Sequence, residues 1–322
     1  MKKYWKKILK IRNILSKKIL ITGGTGFIGY HLAKKCLKLN WSVTSLSTKN
    51  PKKYRKLKKV KYLICDISNK IDLQKKIKNN YDYVVNLAGY VDHTNKVKTV
   101  KSHFQGCKNI SLLFVNSKIK KFVQIGSSIE YGKIKSPQIE FRSYNKKILS
   151  TYGKAKLSST NFLLSLYKNY NFPTIILRLY LVYGPNQEPN RIIPYTILNS
   201  LLDNDFHCSS GKQYRDFLYI DDLISAIIKT LRKKELSGEI INIGSGQPIQ
   251  IKKVILKILS KVNLGSPKFG KISFRKDEIM RLYPSINKAL KKLNWAPRTG
   301  LDLGLEQTIK YFKRNKYNFL NR

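Results

Sequence analysis

The sequence predicts an α/β fold, a doubly wound parallel sheet with a smaller mixed α/β lobe at its C-terminal end. Three observations carry this. Strand-like and helix-like runs alternate through the first 180 residues. The first apolar run, Lys18 to Ile21, feeds a glycine-rich turn, and an amphipathic stretch, Phe27 to Leu39, follows it. After Gly184-Pro185 the alternation breaks up. With 322 residues and 42% hydrophobic content, the chain is long and apolar enough to bury a sizeable core.

The elements read in order as follows. Short apolar runs at Val43–Leu46, Lys61–Cys65, Tyr83–Leu87, Phe122–Gly126 and Thr174–Leu179 suit buried parallel strands. Helical patterns lie between them, notably Val97–Ser117 and Ser150–Tyr170. Beyond residue 180 the chain reads as a helix near Ile192–Leu202, a strand at Phe217–Ile220, a helix at Asp221–Arg232 and another near Ile251–Val262. The expected domains are a basic extension over 1–17, a nucleotide-binding domain over 18–180, and a substrate lobe over 181–322 that returns some segments to the core. No internal repeat is evident.

The turn after the first strand reads Thr22-Gly23-Gly24-Thr25-Gly26-Phe27-Ile28-Gly29. Gly23 permits a tight turn, Gly26 lets the backbone approach a pyrophosphate, and Gly29 lets the helix pack closely on the sheet. Phe27 and Ile28 open that helix, whose N–H groups and positive dipole end suit phosphate. A turn of this kind is weak evidence alone, because glycine turns after strands are common.

A second motif, Tyr152-Gly153-Lys154-Ala155-Lys156, puts a phenol and an ammonium on one helical face. A nearby ammonium lowers a phenol's pKa, which suits Tyr152 to proton exchange near neutral pH. Lys156 also suits the ribose of a nicotinamide nucleotide. Ser127 ends a strand, where active-site residues of open α/β sheets gather. Its alternative role, with Ser128, is a helix cap or turn.

Charge and cysteine usage bound the rest. The net charge is +46, and only 12 of the 64 basic residues are Arg. The lysines are spread along the chain, which reads as compositional drift on a solvated surface rather than a nucleic-acid site. The first carboxylate is Asp66, after 19 Lys and Arg. Residues 1–17 are basic with interspersed apolar residues; they lack a signal-peptide cleavage site and read as a leader with no separate function, with a membrane-surface helix as the alternative. Cys36, Cys65, Cys107 and Cys208 are scattered, as are the four histidines, so neither a disulfide framework nor a metal site is expected. No apolar run is long enough to span a membrane.

These motifs stand in an order that resembles the extended short-chain dehydrogenase/reductases, in the branch of nucleotide-sugar epimerases, dehydratases and 4-ketoreductases. The matching pieces are TGGTGFIG (22–29), CDI (65–67), VVNLAG (84–89), IGSSIEYG (125–132), YGKAK (152–156), RLYLVYGPN (178–186), RDFLYIDDL (215–223) and NIGSGQPI (242–249). The stretch 269–297 is similar to the C-terminal part of CDP-abequose synthase-like reductases. The resemblance implies a Rossmann sheet, with Asp66 and Ile67 at the adenine and Leu87, Ala88 and Gly89 along the dinucleotide. It implies Ser127, Tyr152 and Lys156 as the catalytic set and Arg215 at a substrate diphosphate, with Ser128, Leu181 and Arg191 as further substrate positions. It also implies a nucleotide-diphosphate sugar substrate, a homodimer and a cytoplasmic location.

Departures from that family's pattern narrow the expectation. The 4,6-dehydratases place Asp and Glu directly after the catalytic Ser/Thr, where this chain has Ser128 and Ile129; water elimination from C5–C6 needs a general acid and base there, so dehydration is not expected. The Cys and His of 3,5-epimerisation correspond to Ile129 and Arg191. Leu181 stands where Asn often touches the sugar. The second strand ends Ser47-Thr48-Lys49, without the acid that binds adenosine ribose hydroxyls. That favours NADP(H), with NAD(H) possible. The expected activity is therefore an NAD(P)-dependent nucleotide-sugar 4-epimerase or 4-ketoreductase, in surface polysaccharide sugar synthesis. The alternative is a non-catalytic dinucleotide-binding scaffold with a basic RNA-binding surface.

Overall fold

The computed structural model describes residues 16–320, apart from 79, 91, 93, 141–149 and 275–277. Nearly all of the basic extension therefore lies outside the described residues. The first half contains β1 (Lys18–Thr22), α1 (Phe27–Lys38), β2 (Ser42–Ser47), β3 (Val60–Ile64), α2 (Lys70–Lys76), β4 (Tyr83–Asn86), α3 (Lys96–Val100), α4 (Gly106–Leu112), β5 (Lys121–Ser127), α5 (Thr151–Tyr170) and β6 (Thr174–Leu179). The second contains β7 (Leu181–Tyr183), α6 (Ile192–Leu201), β8 (Asp205–His207), β9 (Tyr214–Tyr219), α7 (Ile220–Arg232), β10 (Ile240–Ile243), β11 (Pro248–Gln250), α8 (Ile251–Val262), β12 (Ser266–Lys268), β13 (Arg281–Leu282), α9 (Asn287–Leu293), α10 (Leu301–Asn315) and α11 (Tyr317–Leu320).

Seven strands form one sheet in the order β10-β6-β5-β4-β1-β2-β3. The β1–β2, β2–β3, β1–β4 and β4–β5 pairs are all parallel. Ile19, Leu20 and Ile21 of β1 are fully buried, as a strand covered on both faces requires. The order reverses between β1 and β4, the place where open sheets of this kind bind ligands.

The expected helix over Val97–Ser117 differs in two ways. A π-turn, Lys101–Gln105, joins α3 to α4, and the Gly106 N–H donates to the Lys101 carbonyl five residues back. Beyond Leu112 the chain tightens into three-residue bonds, Phe114 N–H to Ser111 O and Ser117 N–H to Phe114 O, so the helix ends early. The strand expected over Phe217–Ile220 starts at Tyr214 instead, because β11 and β13 pair with its polar first residues.

The chain divides into two compact units that interleave along the sequence. The first comprises Met1–Ile125, Ala155–Ile176 and Lys234–Glu239, and the second Gly126–Lys154, Leu177–Lys233 and Ile240–Arg322. In the first, Leu20, Val84, Phe114, Phe122 and Leu163 share one apolar core. In the second, α6 packs on α8 and α10 packs on both.

Candidate active site

The first unit builds a cradle around the glycine turn. Gly23 has φ +68°, and its N–H donates to Leu46 O at 2.7 Å. A Cβ there would sit 2.8 Å from the Leu87 carbonyl oxygen, so only glycine lets the turn lie against the end of β4. A Cβ at Gly29 would come 2.5 Å from Gly23 O, which is the close helix approach the sequence calls for. Gly26 caps α1 without a side-chain hydrogen bond, and no acid lies in the first turn. The N–H groups of Phe27, Ile28 and Gly29 precede the helical ladder and face outward from its positive end. This combination suits a pyrophosphate.

The neighbouring residues extend the cradle. Ser47 is buried at the end of β2, and its Oγ accepts from the Thr25 N–H at 3.2 Å. Lys49 is exposed. Asp66 is exposed, and its Oδ1 accepts from the Ser68 N–H at 2.8 Å, while Ile67 is buried with its side chain filling the space beside Gly106. The Ala88 N–H donates to Asn86 Oδ1 at 3.3 Å and to Thr22 Oγ1 at 3.4 Å, which fixes the Leu87–Gly89 turn. Gly89 lies against the His103 ring of the π-turn.

Helix α5 carries Tyr152 and Lys156 one turn apart. Lys156 is buried, and its Nζ donates to the Ile125 carbonyl at 2.8 Å. Gln124 Nε2 donates to the same oxygen at 3.0 Å, and Gln124 Oε1 accepts from Asn86 Nδ2 at 2.7 Å. A chain of buried amides thus ties the lysine anchor to the strand ends beneath the glycine turn. Tyr152 is half-buried.

In the second unit, Ser127 ends β5 with extended backbone and caps a 3₁₀ turn, Ser128–Tyr131. Its Oγ accepts from the Ile129 N–H at 3.4 Å, which leaves its O–H as a donor. The capping bond therefore leaves room for the catalytic role expected of Ser127. Ser128 is buried; Leu181, paired with Phe217, and Arg191, just before α6, are both exposed. Arg215 donates to the Tyr214 and Ile279 carbonyls at 2.7 Å each and pairs with Glu278. Asp216, beside it, is fully buried and accepts from Ser245 and Gly246, holding the loop 244–246. Burial pushes its carboxyl above the ordinary range against the pull of those N–H groups.

Sequence reasoning missed Glu130, Arg178 and Gln124. Glu130 and Arg178 form a fully buried ion pair, and Ser127-x-x-Glu130 has capping-box spacing, a signal that stands in the sequence. Gln124 is a polar residue inside the apolar strand Phe122–Ile125.

The chain is similar to several known proteins. A human dTDP-D-glucose 4,6-dehydratase is 26% identical over 350 residues, covering 95% of this chain and 93% of the relative. CDP-abequose synthase of Salmonella muenchen is 28% identical over 308 residues, covering 92% and 98%. The crystal structure of UDP-glucuronic acid 4-epimerase from Bacillus cereus, in complex with UDP-glucuronic acid and NAD, superposes with a TM-score of 0.82. It is 27% identical, covering 92% of this chain and 99% of that one. Because dehydratases stand among the relatives that match most of the chain, these likenesses give no support to the expectation that dehydration is absent. Among the described residues, no helix is long and apolar enough to cross a membrane. A family profile described as the NAD dependent epimerase/dehydratase family matches residues 19–244. The chain is an enzyme of that family, with a nicotinamide dinucleotide as its class of cofactor.

Proposed function

We propose that this chain interconverts a hydroxyl and a ketone at one sugar carbon of a nucleotide-diphosphate sugar, as a 4-epimerase or a 4-ketoreductase. The observation that carries this reading is the anchored lysine: Lys156 is buried, fixed to Ile125 O at 2.8 Å, and one helical turn from Tyr152. The glycine turn fits a dinucleotide, because Gly23 and Gly29 stand where a Cβ would close the cradle and Gly26 leaves the helix start without a side-chain cap. A nicotinamide dinucleotide, when bound, supplies the hydride acceptor or donor. The chain's own part is the proton. Tyr152 takes the hydroxyl proton as the carbonyl forms, or returns it as the carbonyl is reduced. Ser127 donates its O–H to the same sugar oxygen. Lys156 holds the ribose and offsets the charge that the Tyr152 oxygen develops.

Elimination of water calls for an acid and a base next to Ser127. Ser128 and Ile129 supply neither, and Glu130, the carboxylate of this turn, is turned to Arg178. Arg215 is the proposed diphosphate contact; its guanidinium already faces one anion, Glu278. NADP(H) is the proposed cofactor, because the end of β2 has no acid; NAD(H) is the alternative. A homodimer in a reducing compartment completes the reading; the four cysteines are all buried, which suits such a compartment.

The test is a panel of UDP-, dTDP-, GDP- and CDP-sugars and their 4-keto derivatives, assayed with NADPH and NADH. Epimerised or C4-reduced product is expected. A 4-keto-6-deoxy sugar would assign dehydration instead, and salt-resistant RNA binding without turnover would promote a scaffold role.

A further inference from the structure

The buried pair beneath Ser127 lies outside the proton chemistry described above. Glu130 and Arg178 both have fully buried side chains in the second unit, and Arg178 Nε and Nη2 each lie 2.9 Å from Glu130 Oε2. The guanidinium stacks 4.4 Å from the centre of the Tyr131 ring. The Tyr131 hydroxyl donates to Asn242 Oδ1 at 2.8 Å, and Asn242 Nδ2 donates to Gln138 O at 2.9 Å. A core ion pair is a poor source of stability, since well-packed apolar residues of similar volume often serve as well or better. Its presence calls for a role that an apolar residue cannot fill.

Glu130 Oε1 supplies one. It accepts from the Ser127 N–H at 2.7 Å, while Oε2 faces Arg178. The Ser127 N–H bond fixes the plane of the Gly126–Ser127 peptide and so the direction of the Ser127 side chain. The bond from the Ile129 N–H to Ser127 Oγ is long, at 3.4 Å, and holds that hydroxyl weakly by itself. Arg178 neutralises the carboxylate, so the serine gains a strong acceptor beneath it without a net charge near an anionic substrate.

We infer that Glu130, held by Arg178, is a positioning residue that aims the Ser127 hydroxyl at the reacting sugar oxygen. This rests on the oxidoreductase reading above. Removing the acceptor misaims a group in contact with the reacting atoms, and misplacement of that kind costs on the order of 10²-fold in rate.

The test is a cycle of Glu130→Met/Arg178→Met, Ser127→Ala and their combination, measured for melting temperature, dinucleotide affinity, kcat and KM. The Met/Met variant removes both charges together, so it is expected to fold and melt near the unmutated protein and bind dinucleotide normally. Its kcat is expected to fall on the order of 10²-fold with KM little changed. Once Ser127 is Ala, the same pair of changes is expected to cost nothing more. Unaltered kcat in the folded Met/Met variant, or losses that simply add, would overturn the inference. If Met/Met does not fold, Glu130→Gln keeps a carbonyl acceptor and is expected to retain more activity than Glu130→Ala; equal losses count against the role. The Ser127 amide proton of ¹⁵N-labelled protein gives a readout independent of turnover. It is expected far downfield and to move upfield in Met/Met. An ordinary shift in the unmutated protein would sink the positioning role even if every sugar assay failed, and failed assays with a downfield amide would count against the oxidoreductase reading alone.

Discussion

Ser47 Oγ at the end of β2 accepts from the Thr25 N–H of the glycine turn at 3.2 Å. The residue that stands where the family's acid was expected is therefore in contact with the glycine turn itself. A carboxylate grown from this position would stand where an adenosine 2′-phosphate would be repelled and a 2′-hydroxyl accepted.

Ser47→Asp is accordingly expected to reverse cofactor preference. The unmutated protein should bind NADPH more tightly than NADH, and the variant the opposite. The affinity ratio is expected to change by about tenfold or more, which is about 1.4 kcal/mol. Fluorescence titration with both nucleotides measures it; tighter NADH binding by the unmutated protein would refute the NADP(H) reading.

Tyr152→Phe is expected to leave the fold and the dinucleotide affinity intact, because the Lys156 anchor to Ile125 does not involve the phenol oxygen. Turnover is expected to fall about 10²–10⁴-fold, the usual loss for a positioned acid/base group. Steady-state kinetics beside a melting curve separates loss of chemistry from loss of structure.

Much of the first unit was legible in the sequence, for a local reason. β1, the glycine turn and α1 are contiguous, and Gly26 and Gly29 answer to steric demands within that one stretch, while Gly23 turns against the Leu87 carbonyl at the end of β4. Tyr152 and Lys156 share one helix, so their spacing alone places them. Glu130 and Arg178 were not legible in this way. They lie 48 residues apart, and nothing local to either announces the other. Likewise Glu278, 63 residues beyond Arg215, is brought to it where β13 pairs with β9. Polar short strands such as β11 and β13 carry too little apolar pattern to be seen before their partners are known.

The thiols are expected to be inert in the folded protein. Cys36, Cys65, Cys107 and Cys208 are all buried, and burial, with Asp72 beside it, pushes the Cys65 thiol up to about 12. Ellman's reagent should find almost no fast-reacting thiol in the native protein and all four after denaturation. Rapid labelling of even one native cysteine would contradict this packing.

Asp82 ties β4 to the start of β1. Its Oδ1 lies 2.8 Å from Lys120 Nζ, and its Oδ2 accepts from the Lys18 N–H at 2.8 Å. Partial burial pushes its carboxyl up, but these partners outweigh it and hold the group below the ordinary range. A depressed carboxyl contributes stability that is complete above its unfolded pKa and is lost as pH falls through the folded one. Asp82→Asn should therefore lower the urea midpoint at pH 7 and make little difference near pH 2. A constant difference across that range would refute the assignment.

The π-turn before α4 has a consequence for how this chain tolerates changes of length. An α-helix advances about 100° per residue, so losing one residue ordinarily swings every later side chain onto a new face. Lys101–Gln105 instead carries a surplus residue as slack, taken up by the bond from Gly106 back to Lys101. Deleting exposed Lys101 would convert that wide loop to the ordinary ladder and leave Cys107 and Ile110 facing the core. Deleting Lys108, about two turns later, would rotate Ile110 out of it. Single-residue deletions scanned through 96–112 should thus be survivable at the slack and damaging past it, which makes this turn a place where the helix can shorten in evolution without refitting the sheet beneath.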